Sequence, residues 1–207
     1  MVIHRPNGEL IVVTGATRTG KTTWVAHQVR NARRLLLWDG AADGHRSYHC
    51  RTVTDPRELC ELVKPGAPPE RIAYVRAVTA PEFDIFCRLA WVWVRAARGV
   101  LVVEELADVT HPGKAPVAWG EIIRKGLRYG PTIYALTQRP SESDKTALGN
   151  ASRIHCHAMR LPRDRVTIAE LLGVDPAEVE RLQPFEWIER NALGAVVRGR
   201  GIRARRA

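Results

Sequence analysis

The chain has 207 residues, 45% hydrophobic and 26% charged, which suits one α/β domain with a sizeable core and excludes both a wholly disordered chain and a membrane protein. Lysine and arginine outnumber aspartate and glutamate by 32 to 22, for a net charge of +10 and a pI near 10.1. That excess favours a polyanionic partner, and nucleic acid ahead of a membrane surface because no basic amphipathic helix stands out. The longest apolar run, residues 89 to 94, is too short to span a bilayer, so no transmembrane segment is expected. Cys50, Cys60, Cys87 and Cys156 are irregularly spaced behind no signal peptide, as expected of reduced thiols in a cytoplasmic protein. Neither His45, His49, Cys50 and Cys60 nor the His-Cys-His run at 155 to 157 has paired zinc-type spacing, and both read as structural.

In chain order, the apolar run from Leu10 to Val13 reads as a buried parallel strand, and Gly15, Ala16, Thr17, Arg18, Thr19, Gly20, Lys21 and Thr22 fit G-x-x-x-x-G-K-[ST], with Thr23 following. Glycines at those two positions let backbone N–H groups turn inward around a polyphosphate, and the helix that follows adds its positive N-terminal end. In such a loop Lys21 reaches the β and γ phosphates of ATP, and the Thr22 hydroxyl joins the Mg²⁺ shell. The helix "KTTWVAHQVRNA" is expected to end near Arg33. "LLLWD" is a second buried strand closed by Asp39, which either lies near the nucleotide or caps its own loop. Residues 48 to 53 suggest a short edge strand. Asp55 and Pro56 open a helix, and "RIAYVRAV" alternates like a strand. Residues 81 to 98 form a helix in which Phe86, Leu89, Ala90, Trp93 and Ala97 make one stripe and Cys87, Trp91, Val94 and Arg98 another, the second face either meeting a partner or being buried too.

"GVLVVEEL" at 99 to 106 describes a buried strand that delivers two carboxylates to its carboxyl end, on the side where the phosphate loop opens. This fits a Walker B element, with one carboxylate for Mg²⁺ and one to polarise the attacking water. Resemblance to P-loop ATPases with an acidic pair at that strand end assigns the metal to Glu104 and the base to Glu105.

After a helix from about Pro116 comes "IIRKGLRYGPTIYALTQRPS", in which an arginine and glycine, a turn at Gly130, an apolar strand and Thr137, Gln138, Arg139, Pro140 and Ser141 follow one another. Together with the loop and the acidic pair, this run resembles the FtsK and HerA family of DNA-pumping P-loop ATPases over residues 9 to about 160. The resemblance implies a three-layer α/β P-loop NTPase fold with a mostly parallel central sheet. In it the glutamine-bearing strand stands between the Walker A and Walker B strands, and Gln138 serves as a γ-phosphate sensor. One position departs from the family pattern. The expected glycine and arginine pair falls on Gly126 and Leu127, so a finger acting on a neighbour's nucleotide must come from Arg128 or Arg124, each of which also reads as a basic residue on a solvated helix end.

"SESDKTALGNA" reads as a short helix, "RIHCHAM" as a strand on the far side of the phosphate-loop strand, and "PRDRVTIAELLG" and "DPAEVERL" as helices with proline in their first turns. "FEWIER" and "ALGAVVRG" pair as a C-terminal antiparallel hairpin around Asn191. Residues 1–197 are expected to form the ATPase domain. Residues 198–207, with five arginines, form a basic tail that either contacts DNA or solubilises, the overall charge favouring DNA.

No guanine-reading N-K-x-D run is present, and the acidic pair with "TQRPS" favours water over a small-molecule acceptor, so a kinase is the weaker reading. Within the family, a chain that is little more than the motor core resembles the compact genome-packaging ATPases of tailless, membrane-containing double-stranded DNA phages. The alternative is the ATPase of filamentous phage assembly. The resemblance implies ATP and Mg²⁺, double-stranded DNA, a pentameric or hexameric ring, capsid vertex partners, and work in the host cytoplasm and at the virion packaging vertex.

Overall fold

The computed structural model describes residues 7–40, 42 and 44–201. Its organising strand is β1 (Glu9–Thr14), buried from its second residue onward, which leads through the loop into α1 (Lys21–Gln28). There follow β2 (Leu35–Trp38), β3 (Arg51–Val53), α2 (Pro56–Val63), β4 (Arg71–Tyr74), α3 (Ala80–Ala96), β5 (Val100–Val103), α4 (Val117–Lys125) and β6 (Thr132–Thr137). The chain continues through α5 (Lys145–Asn150), β7 (Arg153–His157), α6 (Pro162–Leu172) and α7 (Pro176–Glu180) and ends in the pair β8 (Glu186–Arg190) and β9 (Val196–Arg200).

The nine strands form one sheet in the order β3-β4-β2-β5-β6-β1-β7-β8-β9. Every pairing from β3 to β7 is parallel, and β8 and β9 close the edge antiparallel. The register sets Thr14 beside Thr137 and Cys156, and Trp38 beside Val103, so the carboxyl ends of β1, β5, β6 and β7 open on the same edge of the sheet. As expected, β6 stands between β1 and β5.

A strand alternates its side chains between faces, and in a parallel sheet both faces are covered. Leu10 and Val12 accordingly join one core with Leu36, Trp38 and the helix residues Phe83, Phe86, Ala90 and Trp93. Ile11 and Val13 join the opposite core with Leu35, Leu37 and Trp24, Val25 and Val29 of α1 and the turn after it. Each such fully buried aliphatic or aromatic side chain contributes about 1.5–3 kcal/mol. Of the second face placed by the sequence on α3, Cys87 and Val94 are buried in the first core and Trp91 packs part-buried against it, while Arg98 lies exposed beyond the helix end.

α1 ends at Gln28, five residues before the expected end. The cause is the Arg71 guanidinium, which donates to the carbonyls of Val29 at 2.9 Å and Ala32 at 2.6 Å and fixes the chain in turns there. The last strand, by contrast, runs later than expected. Arg198 and Arg200 belong to β9, and Arg198 is ion-paired to Glu178, whereas Arg203, Arg205 and Arg206 of the expected basic tail lie outside the described residues. No helix among the described residues is long and apolar enough to cross a membrane.

Candidate phosphate-binding site

The loop from Gly15 to Gly20 is shaped by close approaches. Gly15 sits at φ 151°, where a Cβ would fall 2.7 Å from the His157 Cβ, and Gly20 at φ 118°, where one would fall 3.2 Å from His157 Cε1. Only glycine fits these two positions. Ala16 N donates to Ala158 O at 2.8 Å, tying the loop to the chain just after β7, and Thr19 Oγ1 donates back to Ala16 O at 2.7 Å. Arg18, at φ 63°, is turned out to solvent with Thr17 and Thr23. Gly20 caps α1 with no side-chain hydrogen bond and no acidic residue in the first turn, so the first-turn N–H groups can meet an anion.

Lys21 is 5% exposed, and its Nζ donates to Gly15 O at 2.8 Å and lies 4.0 Å from Glu105 Oε1. Burial lowers its pKa, while the charges of Glu105 and Glu104 raise it in part. An ammonium among backbone groups and carboxylates in so dry a place is poised for a stronger anion.

The two carboxylates stand at different depths. Glu105, at φ 47°, takes a left-handed conformation that turns the chain sharply after β5 and leaves Glu104 buried and Glu105 part-buried. Glu104 Oε1 accepts from Thr22 Oγ1 at 3.2 Å and from the Tyr48 hydroxyl at 2.6 Å. Burial pushes the Glu104 carboxyl up to about 7 against the lowering hydrogen bond from Tyr48. A buried carboxylate beside a threonine hydroxyl is a hard-oxygen donor set, and a divalent cation would offset the burial that now favours the proton. Thr22 and Glu104 therefore fit Mg²⁺. Asp39 accepts from His45 N at 2.7 Å, with His45 Nδ1 2.9 Å away, and so caps its own loop. That loop in turn lays Gly44 and Tyr48 against Glu104.

Gln138 joins the two halves. Its Nε2 donates to Glu105 Oε1 at 2.7 Å, and its Oε1 accepts from Thr17 Oγ1 at 2.5 Å. Its neighbours are held elsewhere: Ser141 donates through N and Oγ to Asp164 Oδ1 at 3.0 and 2.6 Å, and Arg139 Nε lies 3.3 Å from Asp164 Oδ2. Asp164, on α6 and 1% exposed, thus anchors the "TQRPS" run from beneath. A cavity of roughly 210 Å³ adjoins, lined among others by Thr17, Gln138, Arg139, Arg160 and Asp164.

The structure does not bring Arg124 and Arg128 to this site. They precede β6, whose carboxyl end carries Gln138, so they lie at the opposite edge of the sheet, one strand length of about 20 Å away. The Arg124 guanidinium folds back over Gly120 and Arg128 Nε donates to Lys125 O at 3.0 Å, while both residues stay exposed. Leu127 is half-buried and packs against the core.

Tyr48 and Asp164 escaped the sequence reading, because each acts on a residue far along the chain and no local pattern marks it, whereas His157 belongs to the run read as structural. His157 backs both loop glycines and leads to His155 (Nε2 to Nε2, 3.3 Å), which lies 2.9 Å from Glu189 and stacks on Trp24 at 3.7 Å between ring centres. Burial pushes His157 down to about 3 and lowers His155 as well.

The chain is 35% identical over 181 residues to Protein P9 of Pseudoalteromonas phage PM2, covering 86% of this chain and 81% of that one. No protein-family model matches it. Its fold superposes on the genome packaging NTPase B204 from Sulfolobus turreted icosahedral virus 2 in complex with AMPPCP (TM-score 0.75, 13% identity, 94% of this chain and 98% of that one). It also superposes on VirB4 of Thermoanaerobacter pseudethanolicus (TM-score 0.69, 12% identity, 94% and 89%). The fold is that of the P-loop NTPases.

Proposed function

The chain belongs to the same family as Protein P9 of Pseudoalteromonas phage PM2, and we propose that it is an ATP-hydrolysing motor that moves double-stranded DNA into a preformed viral capsid. The observation that carries the reading is the convergence of Lys21, Thr22, Glu104, Glu105 and Gln138 at the carboxyl ends of β1, β5 and β6, with Thr22 hydrogen-bonded to Glu104, Gln138 to Glu105, and Lys21 facing Glu105 at 4.0 Å. The fold shared with a genome packaging NTPase and a net charge of +10 support nucleic acid as the load.

In this reading residues 15 to 23 bind the phosphates of ATP, with Lys21 on the β and γ groups. Thr22 and Glu104 hold Mg²⁺, which when bound neutralises charge on the phosphates. Glu105 takes the proton of the attacking water, and Gln138, which touches both Glu105 and the loop through Thr17, senses the γ-phosphate. Arg128, with Arg124 as the alternative, acts on a neighbouring subunit's nucleotide in a ring of five or six. Capsid vertex proteins are the docking partners, and the site of work is the host cytoplasm and the packaging vertex. The ATPase domain, read from the sequence as residues 1–197, is here extended through β9 to Arg200, with the basic residues after it as a DNA-contacting arm.

The test is ATP hydrolysis measured with and without double-stranded DNA. Stimulation by DNA is expected of a pump; hydrolysis indifferent to DNA, or transfer of the phosphate to a small acceptor, would refute it.

A further inference from the structure

We propose that Phe185 is the platform on which the nucleobase stacks, an assignment that rests on the nucleotide-binding reading above. Glu104, Glu105 and Gln138 follow β5 and β6, on one side of β1. A polyphosphate whose terminal group faces them leads its sugar and base away from that side, toward β7 and β8. Phe185 stands there, immediately before β8.

Four observations set it apart. It is 48% exposed and packs into neither hydrophobic core. Its N–H donates to Thr19 O of the phosphate loop at 3.0 Å, and its carbonyl accepts from Gly201 N at 2.7 Å, so the backbone is held from both sides. Its ring edge lies 3.2 Å from where a Cβ at Gly20 would sit, beside the start of α1. Finally, it adopts φ 67°, a left-handed conformation that an aromatic residue rarely takes and that persists only where the surroundings impose it. An apolar ring held strained and half open against the loop is not accounted for by either hydrophobic core. Its free face matches the π-surface of a base. Stacking reads no hydrogen-bond pattern, so the platform serves adenine and guanine alike.

The experiment is calorimetric titration of the full chain and of Phe185→Ala and Phe185→Trp with the Mg²⁺ complexes of ATP, GTP and tripolyphosphate, the last having phosphates and no base. Phe185→Ala should weaken ATP and GTP by the same factor, about 5- to 150-fold, the range for one base on one ring. Tripolyphosphate should bind it within twofold of the parent, and Phe185→Trp should keep ATP affinity. Equal losses for ATP and tripolyphosphate would make Phe185 a prop of the loop and overturn the proposal, as would unchanged ATP affinity in Phe185→Ala. A parent that binds neither ATP nor tripolyphosphate would instead refute nucleotide binding itself, and the platform with it.

Discussion

Glu105 and Lys21 share one neighbourhood yet should fail differently when replaced. A base acts on the water and not on the bound phosphates, so Glu105→Gln should bind ATP near parental affinity and lose turnover by about 10²- to 10⁴-fold. Single-turnover hydrolysis alongside equilibrium binding checks this, and hydrolysis near the parental rate would dismiss the assignment. Lys21→Ala removes the cation that meets the phosphates and should weaken binding itself, visible as a raised Kd for ATP. Both residues, with Thr22, Glu104 and Gln138, were legible in the sequence because a motif of fixed spacing follows each strand. Tyr48, 56 residues from the carboxylate it holds, and Asp164, 23 residues beyond the serine it anchors, were not, because their contacts exist only once the sheet has brought distant segments together.

At the scale of elements, strand identity was readable from short apolar runs and turn residues, and the place of β6 between β1 and β5 from the family resemblance. The end of α1 was not, since Arg71 sets it from another strand. The strand β7 carries its own consequence. His157, held near 3 in the fold and near 6.5 when unfolded, takes up a proton in the unfolded chain first as pH falls. The unfolded state then binds more protons than the folded one, so the contribution of His157 is complete above about pH 6.5 and is lost as pH drops toward 3. His155, also lowered, acts in the same direction. Urea denaturation between pH 7 and 4.5 should show stability falling, and His157→Gln should reduce the slope by up to about 1.4 kcal/mol per pH unit, one proton's worth. An unchanged slope would show that the buried imidazole is not the titrating group.

For the whole molecule, charge and polarity decide. DNA affinity should fall steeply with salt, and truncation after Gly201, which spares β9 and removes three arginines, should flatten the log–log slope by up to about 3, at roughly 0.9 per phosphate contact. An identical slope would show that the removed segment only solubilises. The cross-subunit role of Arg128 is tested by mixing Arg128→Ala with Glu105→Gln. Recovered hydrolysis is expected, and full activity of Arg128→Ala alone would move the role to Arg124. Within one chain, β6 keeps its glutamine and these arginines at opposite ends. On the proposal that one of these arginines acts on a neighbour's nucleotide, a pair of chains joined head to tail would complete one site and leave the other wanting, and only a closed circle would serve every member. Specific activity should accordingly collapse on dilution more steeply than a dimer's would, so that a lone motor is idle by construction and fuel is spent only where enough copies have gathered to close the circuit.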